Sequence, residues 1–264
     1  MLQSAVDWTN MAPPLPRDGT GAEVGPPDFI GVGVQRCGTT RWFDLIGAHP
    51  EVLGAAGPKE LHYFDRFFAG GCTREQLERY HGYFPKHRPG KTGEWTPVYA
   101  TAPWIPPLLA AAAPEALLLV LLRDPVERYL SGLQHLAERA RRQGTAPSRH
   151  APLEQLERGC YHTHLLGLLR HFARERVLVL QYERCTREPL EQLRRTFEFL
   201  GLKDVEHAPD LGARPEHQPS KPTLDDATRR AYVEFYEPEV GRLLEAFPEL
   251  DASLWPNFAH LATR

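Results

Sequence analysis

The chain has few cysteines and no long uninterrupted hydrophobic run. Its four cysteines are widely spaced among 264 residues and form no CxxC pair, which predicts free thiols in a reducing compartment. The most apolar stretch, residues 110–122, is interrupted by proline and glutamate and is too short to span a bilayer. The N-terminus lacks a basic segment followed by an apolar run, which argues against a signal peptide. These absences favour a cytoplasmic protein.

The chain also lacks an excess of charge of one sign. Its 31 basic and 34 acidic side chains leave a net charge of −3, so the overall field attracts neither nucleic acid nor an anionic membrane. Any anionic ligand must therefore be bound by a local site. Lysine is scarce, and arginine supplies most of the cations. Together with the many alanines, prolines and glycines, this is typical of a GC-rich bacterial genome.

The remaining composition is that of a globular protein, with 42% hydrophobic and 25% charged residues. A chain of this length buries enough surface to fold without disulfides or a structural metal. Residues 1–27 are rich in proline and glycine and carry no hydrophobic periodicity, which predicts a flexible N-terminal leader. Residues 28–264 are predicted to form a single domain.

Apolar strands alternate with helical segments along this domain. The runs 29–34, 117–122 and 177–180 have the length and composition of buried parallel strands. Apolar spacing predicts helices after each of them, and loops are predicted at two polar stretches. The predicted helices are 41–48, 125 to about 142, a segment around 165–172, and 190–200, and the predicted loops are 139–150 and 203–223. The pattern predicts an α/β fold, a central parallel sheet flanked by helices, with ligands at the carboxyl ends of the strands.

One loop has the composition of a phosphate-binding site. Residues 33–40, GVQRCGTT, join the first strand to its helix. Gly38 permits a tight turn, Thr39 and Thr40 add hydroxyl donors, and the unpaired amides at the helix start face any bound anion. A Walker A loop needs lysine immediately before its hydroxyl residue, and Gly38 stands there, which disfavours ATP with magnesium. By itself, the segment is also compatible with an ordinary strand-to-helix turn capped by threonine.

Three further segments carry groups suited to phosphate binding or acid–base chemistry. Residues 59–65, KELHYFD, place a lysine, a glutamate and a histidine within four residues, beside aromatic side chains that can desolvate them. Residues 93–97, GEWTP, add another glutamate. Residues 122–128, LRDPVER, leave Arg123 at a strand end with Ser131 farther along the helix. An arginine there can hold a phosphate through two parallel hydrogen bonds.

In this order, the segments resemble the sulfotransferases that use 3′-phosphoadenosine 5′-phosphosulfate (PAPS) and release 3′-phosphoadenosine 5′-phosphate (PAP). The similarity is closest to the heparan sulfate sulfotransferase domains and their bacterial relatives. It covers residues 28–258, with weaker matches at 182–183 and 254–258. Each motif alone is weakly specific, whereas four in order on alternating strands and helices are strongly specific. The resemblance implies a P-loop-like strand–loop–helix that binds the phosphosulfate.

The resemblance also implies roles for individual residues. Glu60 would be the catalytic base, and Lys59, His62 and Arg36 would surround the sulfuryl group. No metal is implied, because side chains supply the cations. Binding of the nucleotide is implied for the first loop, for residues after two later strands and for a late lysine: Arg36, Cys37, Gly38, Thr39, Thr40, Arg123, Ser131, Tyr182 and Lys221.

The sequence departs from the family pattern at three places. Many relatives have lysine where Arg36 stands; arginine keeps a permanent charge but cannot donate a proton near neutral pH. Many have lysine where Trp95 stands, so the acceptor side loses a cation and gains an aromatic wall. The lysine- and glycine-rich late loop of the heparan enzymes has its nearest counterpart at Ser220, Lys221 and Pro222. These departures leave the acceptor open.

Four other features each have two interpretations. Cys37 is either a reactive thiolate near a helix start or a small space-filling residue. The segment 160–164, CYHTH, suggests zinc ligands, although a helix would turn His162 away from the other two. The basic cluster 139–142 is either a solvated helix end or a lid over the acceptor. Three aromatic residues either line the acceptor pocket or pack in the core: Trp95, Tyr99 and Trp104.

The sequence therefore predicts a PAPS-dependent sulfotransferase acting on a hydroxyl, less readily an amine, of a small or glycosylated acceptor. No nucleic-acid partner and no membrane span are expected, and the oligomeric state is open. Two alternatives remain: a P-loop-like nucleotide kinase that needs a metal ion, and a non-catalytic module that binds the nucleotide without transferring any group.

Overall fold

A single parallel sheet forms the centre of the protein. The structure is a computed structural model that describes residues 23–55, 57–68, 71–86, 89–146, 148–203 and 223–262. Within these ranges the sheet has five strands in the order β2-β3-β1-β4-β5, and every neighbouring pair is parallel. In chain order, the strands are β1 (Phe29–Gly33), β2 (Val52–Leu53), β3 (Lys91–Trp95), β4 (Leu117–Leu122) and β5 (Val177–Gln181).

Helices flank the sheet and connect its strands. The described helices are α1 (Thr39–Gly47), α2 (Arg74–His81), α3 (Ile105–Ala112), α4 (Pro125–Gln143), α5 (Ala151–Glu157), α6 (Tyr161–Leu169), α7 (Tyr182–Arg187), α8 (Pro189–Leu200) and α9 (Asp226–Ala246). The α/β fold predicted from the sequence is confirmed. None of the described helices is long and apolar enough to cross a membrane.

Two local features differ from the prediction. The predicted helix to about residue 142 is confirmed, but the predicted loop starts later than residue 139, because α4 continues to Gln143 and ends where Gly144 adopts a left-handed φ of 64°. Strand β3 was not predicted, since Gly93 and Glu94 are residue types depleted in strands. A β-carbon at Gly93 would lie 2.4 Å from the carbonyl oxygen of Phe29, so the neighbouring strand leaves no room for a side chain there.

The ends of the chain fall partly outside the described residues. Residues 1–22, most of the predicted leader, are not described, and neither are 204–222, which include Lys221. Ordered pairing begins before Asp28, because Val24 forms an antiparallel bridge with Pro85. All four cysteines are free, as predicted.

The sheet brings the predicted site segments to one edge. Because the strands are parallel, their carboxyl ends meet at the same edge. The loop of residues 34–38 follows β1, Thr96 follows β3, Arg123 follows β4 and Tyr182 follows β5. The segments that carry the proposed chemistry therefore surround one crevice.

Candidate active site

The turn after β1 leads directly into an uncapped helix. Arg36 and Gly38 both have positive φ angles, 72° and 88°. Helix α1 begins at Thr39, two residues earlier than predicted, and within the described chain no side chain caps it. The first amides of a helix have no partner inside the helix, and the helix dipole adds partial positive charge there. This is the anion-binding geometry that the sequence of residues 33–40 predicts.

Cys37 is a space-filling residue in this turn. Its side chain is buried, and its sulfur lies 4.0 Å from the hydroxyl of Tyr161. Burial raises the pKa of the Cys37 thiol to about 12, so the thiol stays protonated near neutral pH. Its backbone amide donates to the carbonyl of Val34 at 3.3 Å. The alternative of a reactive thiolate is therefore disfavoured.

Gly38 fits closely under the ring of Tyr182. A β-carbon at Gly38 would lie 2.9 Å from Cδ2 of Tyr182, and the φ of 88° disfavours any L side chain. We expect Gly38→Ala to lower the free energy of unfolding by at least about 1–2 kcal/mol and to displace the Tyr182 ring. Gly241→Ala is a matched control in the interior of α9, where the β-carbon meets open space, and it should stabilise by about 0.5–1 kcal/mol. Urea unfolding of both variants tests this; equal effects would contradict the assigned backbone constraint.

Two arginines and a serine form a cationic cluster over this turn. Arg36 Nε donates to Ser131 Oγ at 3.2 Å, and Arg123 Nη1 donates to the carbonyl of Arg36 at 3.3 Å. The Arg123 guanidinium also lies 4.8 Å from the centre of the Tyr182 ring. Burial and the neighbouring Arg123 lower the pKa of Arg36. Among the described residues, no carboxylate forms a salt bridge with either arginine, so the cluster can attract an anion.

His135 joins this cluster and was not predicted from the sequence. Its Nδ1 lies 3.5 Å from Arg36 Nη1, one helical turn beyond Ser131 on α4. Burial and the charge of Arg36 lower the pKa of His135, which favours a neutral ring. The spacing of four residues from Ser131 is the only sequence signal that could have indicated it.

Glu60 lies at the centre of a second cluster. Its carboxylate is 3.0 Å from Lys59 Nζ and 3.3 Å from His62 Nε2, and His62 Nδ1 is 2.8 Å from Asp65. The hydrogen bond from His62 lowers the pKa of Glu60, with Lys59 assisting and burial opposing. The bonds to Asp65 and Glu60 raise the pKa of His62 to about 9. Near neutral pH, the cluster therefore holds an ionised glutamate and an imidazolium.

The end of β3 fixes the backbone of this second cluster. The amide of Leu61 donates to the Glu94 carboxylate at 3.4 Å, and the amide of His62 donates to Thr96 Oγ1 at 3.4 Å. Glu94 is completely buried, and burial raises its pKa to about 7. Thr96 and Tyr80 hydroxyls both donate to it, at 2.6 and 2.7 Å. Glu94 thus positions the segment that carries Glu60, a role that the sequence did not predict.

The charge state of His62 can be measured directly. We expect an NMR titration to give a pKa near 9, because Asp65 and Glu60 both stabilise the imidazolium. Asp65→Asn should lower that pKa toward the ordinary 6.5, whereas the exposed Asp44→Asn on α1 should leave it unchanged. The folded-state pKa exceeds the unfolded value, so the His62 contribution to stability is complete below pH 6.5 and is lost as the pH rises through about 9. A wild-type pKa near 6.5 would contradict the cluster.

The C-terminal part of the chain supports the ends of β4 and β5. The Asp124 carboxylate caps α4 and accepts hydrogen bonds from the backbone and side-chain nitrogens of Asn257 at 3.0 Å. Glu183 accepts from the Asp124 amide at 3.0 Å and from Trp255 Nε1 at 2.9 Å. This buried network holds the backbone on which Arg123 and Tyr182 are placed. Trp255 and Asn257 of this network belong to residues 254–258, the segment with weak sequence similarity to the sulfotransferases.

A cavity of about 720 Å³ adjoins the turn and the second cluster. Gln35 of the turn lines it together with His62 and Asp65. Of the three aromatic residues predicted for the acceptor pocket or the core, only Trp104 lines the cavity, whereas Trp95 and Tyr99 are fully buried in the core. The cavity has the size of a site for a small molecule.

The described residues hold no group of histidine, cysteine and acidic side chains with the geometry of a metal site. Cys160 and His164 of the CYHTH segment both line the cavity. The ring of His164 bonds to the carbonyl of Glu157 at 2.9 Å, and burial lowers its pKa. These two residues therefore contribute to the cavity wall.

Comparison with known proteins agrees with this geometry. Residues 100–206 match the model of the Sulfotransferase family. The fold resembles the crystal structure of a sulfotransferase from Alicyclobacillus acidocaldarius with a TM-score of 0.67 and 24% identity, covering 88% of this chain and 99% of that one. The chain belongs to the sulfotransferase family. Its fold also resembles that of a sulfotransferase from Mycobacterium avium, with a TM-score of 0.54 and 16% identity, covering 70% of this chain and 66% of that one.

The relatives of this chain found by sequence include enzymes that are named for heparan sulfate. It is 32% identical over 190 residues to heparan sulfate glucosamine 3-O-sulfotransferase 3B1 of Mus musculus, covering 68% of this chain and 47% of that protein. It is 32% identical over 206 residues to heparan sulfate glucosamine 3-O-sulfotransferase 6 of Homo sapiens, covering 74% of this chain and 58% of that protein. The chain spans about half the length of the curated relatives it matches.

Proposed function

We propose that the protein transfers a sulfuryl group from PAPS to a hydroxyl, less readily an amine, of a small or glycosylated acceptor. The observation that carries the proposal is the cationic cluster of Arg36, Arg123 and Ser131 over an uncapped helix start, at the same sheet edge as Glu60. Membership of the sulfotransferase family supports PAPS as the donor.

The residues of the crevice fit a nucleotide with phosphate groups at two positions. The amides at the start of α1, from Gly38 to Thr40, suit the 5′-phosphate end. Arg123 and Ser131 suit the 3′-phosphate, and Tyr182 offers an aromatic face beside them. When bound, PAPS supplies an activated sulfuryl group whose leaving oxygen belongs to that 5′-phosphate. Lys221, also assigned to the nucleotide, lies outside the described residues.

In the proposed mechanism, Glu60 accepts the proton of the acceptor hydroxyl. Its lowered pKa keeps it ionised near neutral pH and therefore ready to accept a proton. Lys59 and the His62 imidazolium donate hydrogen bonds where negative charge develops, and Arg36 contributes a permanent charge. A positioned base of this kind contributes about 10²–10⁴-fold to the rate, and alignment of acceptor and donor supplies most of the remainder.

Transfer of labelled sulfate from PAPS, assayed with a chelator and no divalent cation, tests the proposal. We expect labelled acceptor and PAP as products. A nucleotide kinase would fail without metal and would use ATP when metal is restored. A non-catalytic module would bind PAP but form no labelled product with any acceptor. Either of those outcomes would contradict the proposed activity.

A further inference from the structure

The lining of the cavity beside the turn includes an apolar group of residues, called the apolar wall below, and two carboxylates, called the acidic wall. Val98, Ala102 and Trp104 form the apolar wall, in the segment after β3. The ring of Phe68 packs against Trp104 with their centroids 6.3 Å apart, which extends the aromatic surface. Glu154 on α5 and other polar residues also line this cavity. An acceptor that fills this space therefore needs an apolar or aromatic body.

The acidic wall is formed by the exposed carboxylates of Glu154 and Glu157. They lie three residues apart on α5, close to the same helical face. Neither forms a salt bridge with another described residue. Arg158 follows Glu154 by four residues at the end of α5, about one helical turn away, and the charge of Glu154 opposes the lowering of the Arg158 pKa by burial. These two carboxylates are therefore not neutralised by an ion pair among the described residues.

The cations of the cavity do not outnumber its carboxylates. His62 is bonded to Asp65 and Glu60, and Arg158 donates to the amide oxygen of Gln35. Arg139 is the third cation. Three cations therefore face three carboxylates among the described lining residues: His62, Arg139 and Arg158 against Asp65, Glu154 and Glu157. A sulfate-rich sugar would find no surplus positive charge here.

One helix connects this cavity to the nucleotide site. Ser131, His135 and Arg139 recur at intervals of four residues on α4, so they share one helical face. Ser131 and His135 contact Arg36 in the cationic cluster, and Arg139 lines the cavity. His62, which contacts Glu60, also lines the cavity. The position suits the acceptor of the proposed reaction.

We propose that the acceptor is a small amphipathic molecule without anionic groups, whose apolar body lies on Trp104 and whose hydroxyl lies beside His62. This proposal rests on the proposed function, because only sulfuryl transfer would make the molecule bound in this cavity an acceptor. The binding preference itself depends only on the cavity. It differs from what the printed names of the heparan sulfate relatives describe.

Three phenols that differ in the charge of one substituent test the preference: tyramine, 4-ethylphenol and 4-hydroxyphenylpropionate. Calorimetry measures their dissociation constants with the protein alone and with saturating PAP. We expect the anionic phenol to bind roughly tenfold more weakly than the neutral one, because Glu154 and Glu157 form no ion pair and the lining has no surplus cation to offset their repulsion. Equal or tighter binding of the anionic phenol, or no binding of any of the three at millimolar concentration, would overturn the proposal. Displacement of 4-ethylphenol by a heparan sulfate oligosaccharide would also overturn it.

Charge-neutral variants assign the preference to the acidic wall. The double variant Glu154→Gln, Glu157→Gln should bring the affinities for the anionic and neutral phenols to within about threefold of each other. Glu245→Gln, an exposed position on α9, is the matched control and should leave the difference unchanged. An unchanged difference in the double variant would contradict the role of these carboxylates.

The same titrations distinguish a failure of the proposed function from a failure of this inference. Failure of PAP to bind would count against the proposed function, whereas a reversed order of phenol affinities with PAP bound would count only against this acceptor class.

Discussion

Glu60→Gln should lower kcat for sulfuryl transfer by about 10²- to 10⁴-fold while PAP binds with nearly its wild-type affinity. The amide keeps the size of the side chain but cannot accept the acceptor proton. Glu60 contacts Lys59 and His62, whereas the groups assigned to the nucleotide phosphates are Arg123, Ser131 and the start of α1. The loss should therefore appear in kcat and not in the affinity for PAP.

The control for this variant is Glu245→Gln, which removes an exposed carboxylate from α9. It should turn over at the wild-type rate. Thermal unfolding of both variants separates a chemical defect from a folding defect. Wild-type turnover by a folded Glu60→Gln protein would exclude Glu60 as the base.

Arg123→Ala should weaken PAP binding by about 1.5–3 kcal/mol, which corresponds to roughly 10- to 150-fold in the dissociation constant. The guanidinium lies against the Tyr182 ring and donates to the Arg36 carbonyl, so its position is set before a ligand arrives. Loss of a charge-assisted bond to the 3′-phosphate accounts for the magnitude. Calorimetry measures the affinities of the variant for PAP and for adenosine 5′-phosphate. Because only PAP carries the 3′-phosphate, a loss of affinity for PAP alone assigns Arg123 to that phosphate.

Arg170→Ala provides a control with the same change in net charge, since Arg170 is exposed at the end of α6. Its affinity for PAP should match that of the wild type. If Arg123→Ala lowered the affinities for both nucleotides equally, the assignment of Arg123 to the 3′-phosphate would be wrong. An unchanged affinity for PAP would exclude Arg123 from the nucleotide site.

The parts of the site that could be predicted are local in sequence. The turn at residues 33–40 lies between an apolar run and a helix, and Arg123 directly follows a strand that is apolar at every position. Such features depend on a few neighbouring residues and on the rule that parallel strands end at one edge. Residues 59–65 were likewise predicted as a functional group, and their mutual contacts are present in the structure.

The parts that could not be predicted depend on contacts between distant residues. Arg36 and Ser131 are 95 positions apart, and the amide of Asn257 reaches Asp124 across 133 positions. The positioning role of Glu94 requires β3 to lie beside β1 in one register, which composition did not indicate. The place of Trp95 in the core follows from Gly31, where a β-carbon would lie 2.0 Å from the indole. Sequence patterns do not report such pairings.

A crystal structure with PAP bound is the decisive test of the proposed site. We expect the 3′-phosphate within hydrogen-bonding distance of Arg123 and Ser131, the 5′-phosphate at the start of α1, and the Glu60 carboxylate facing the site beside that phosphate. A nucleotide bound elsewhere, or a Glu60 side chain turned into bulk solvent away from a correctly bound nucleotide, would contradict it.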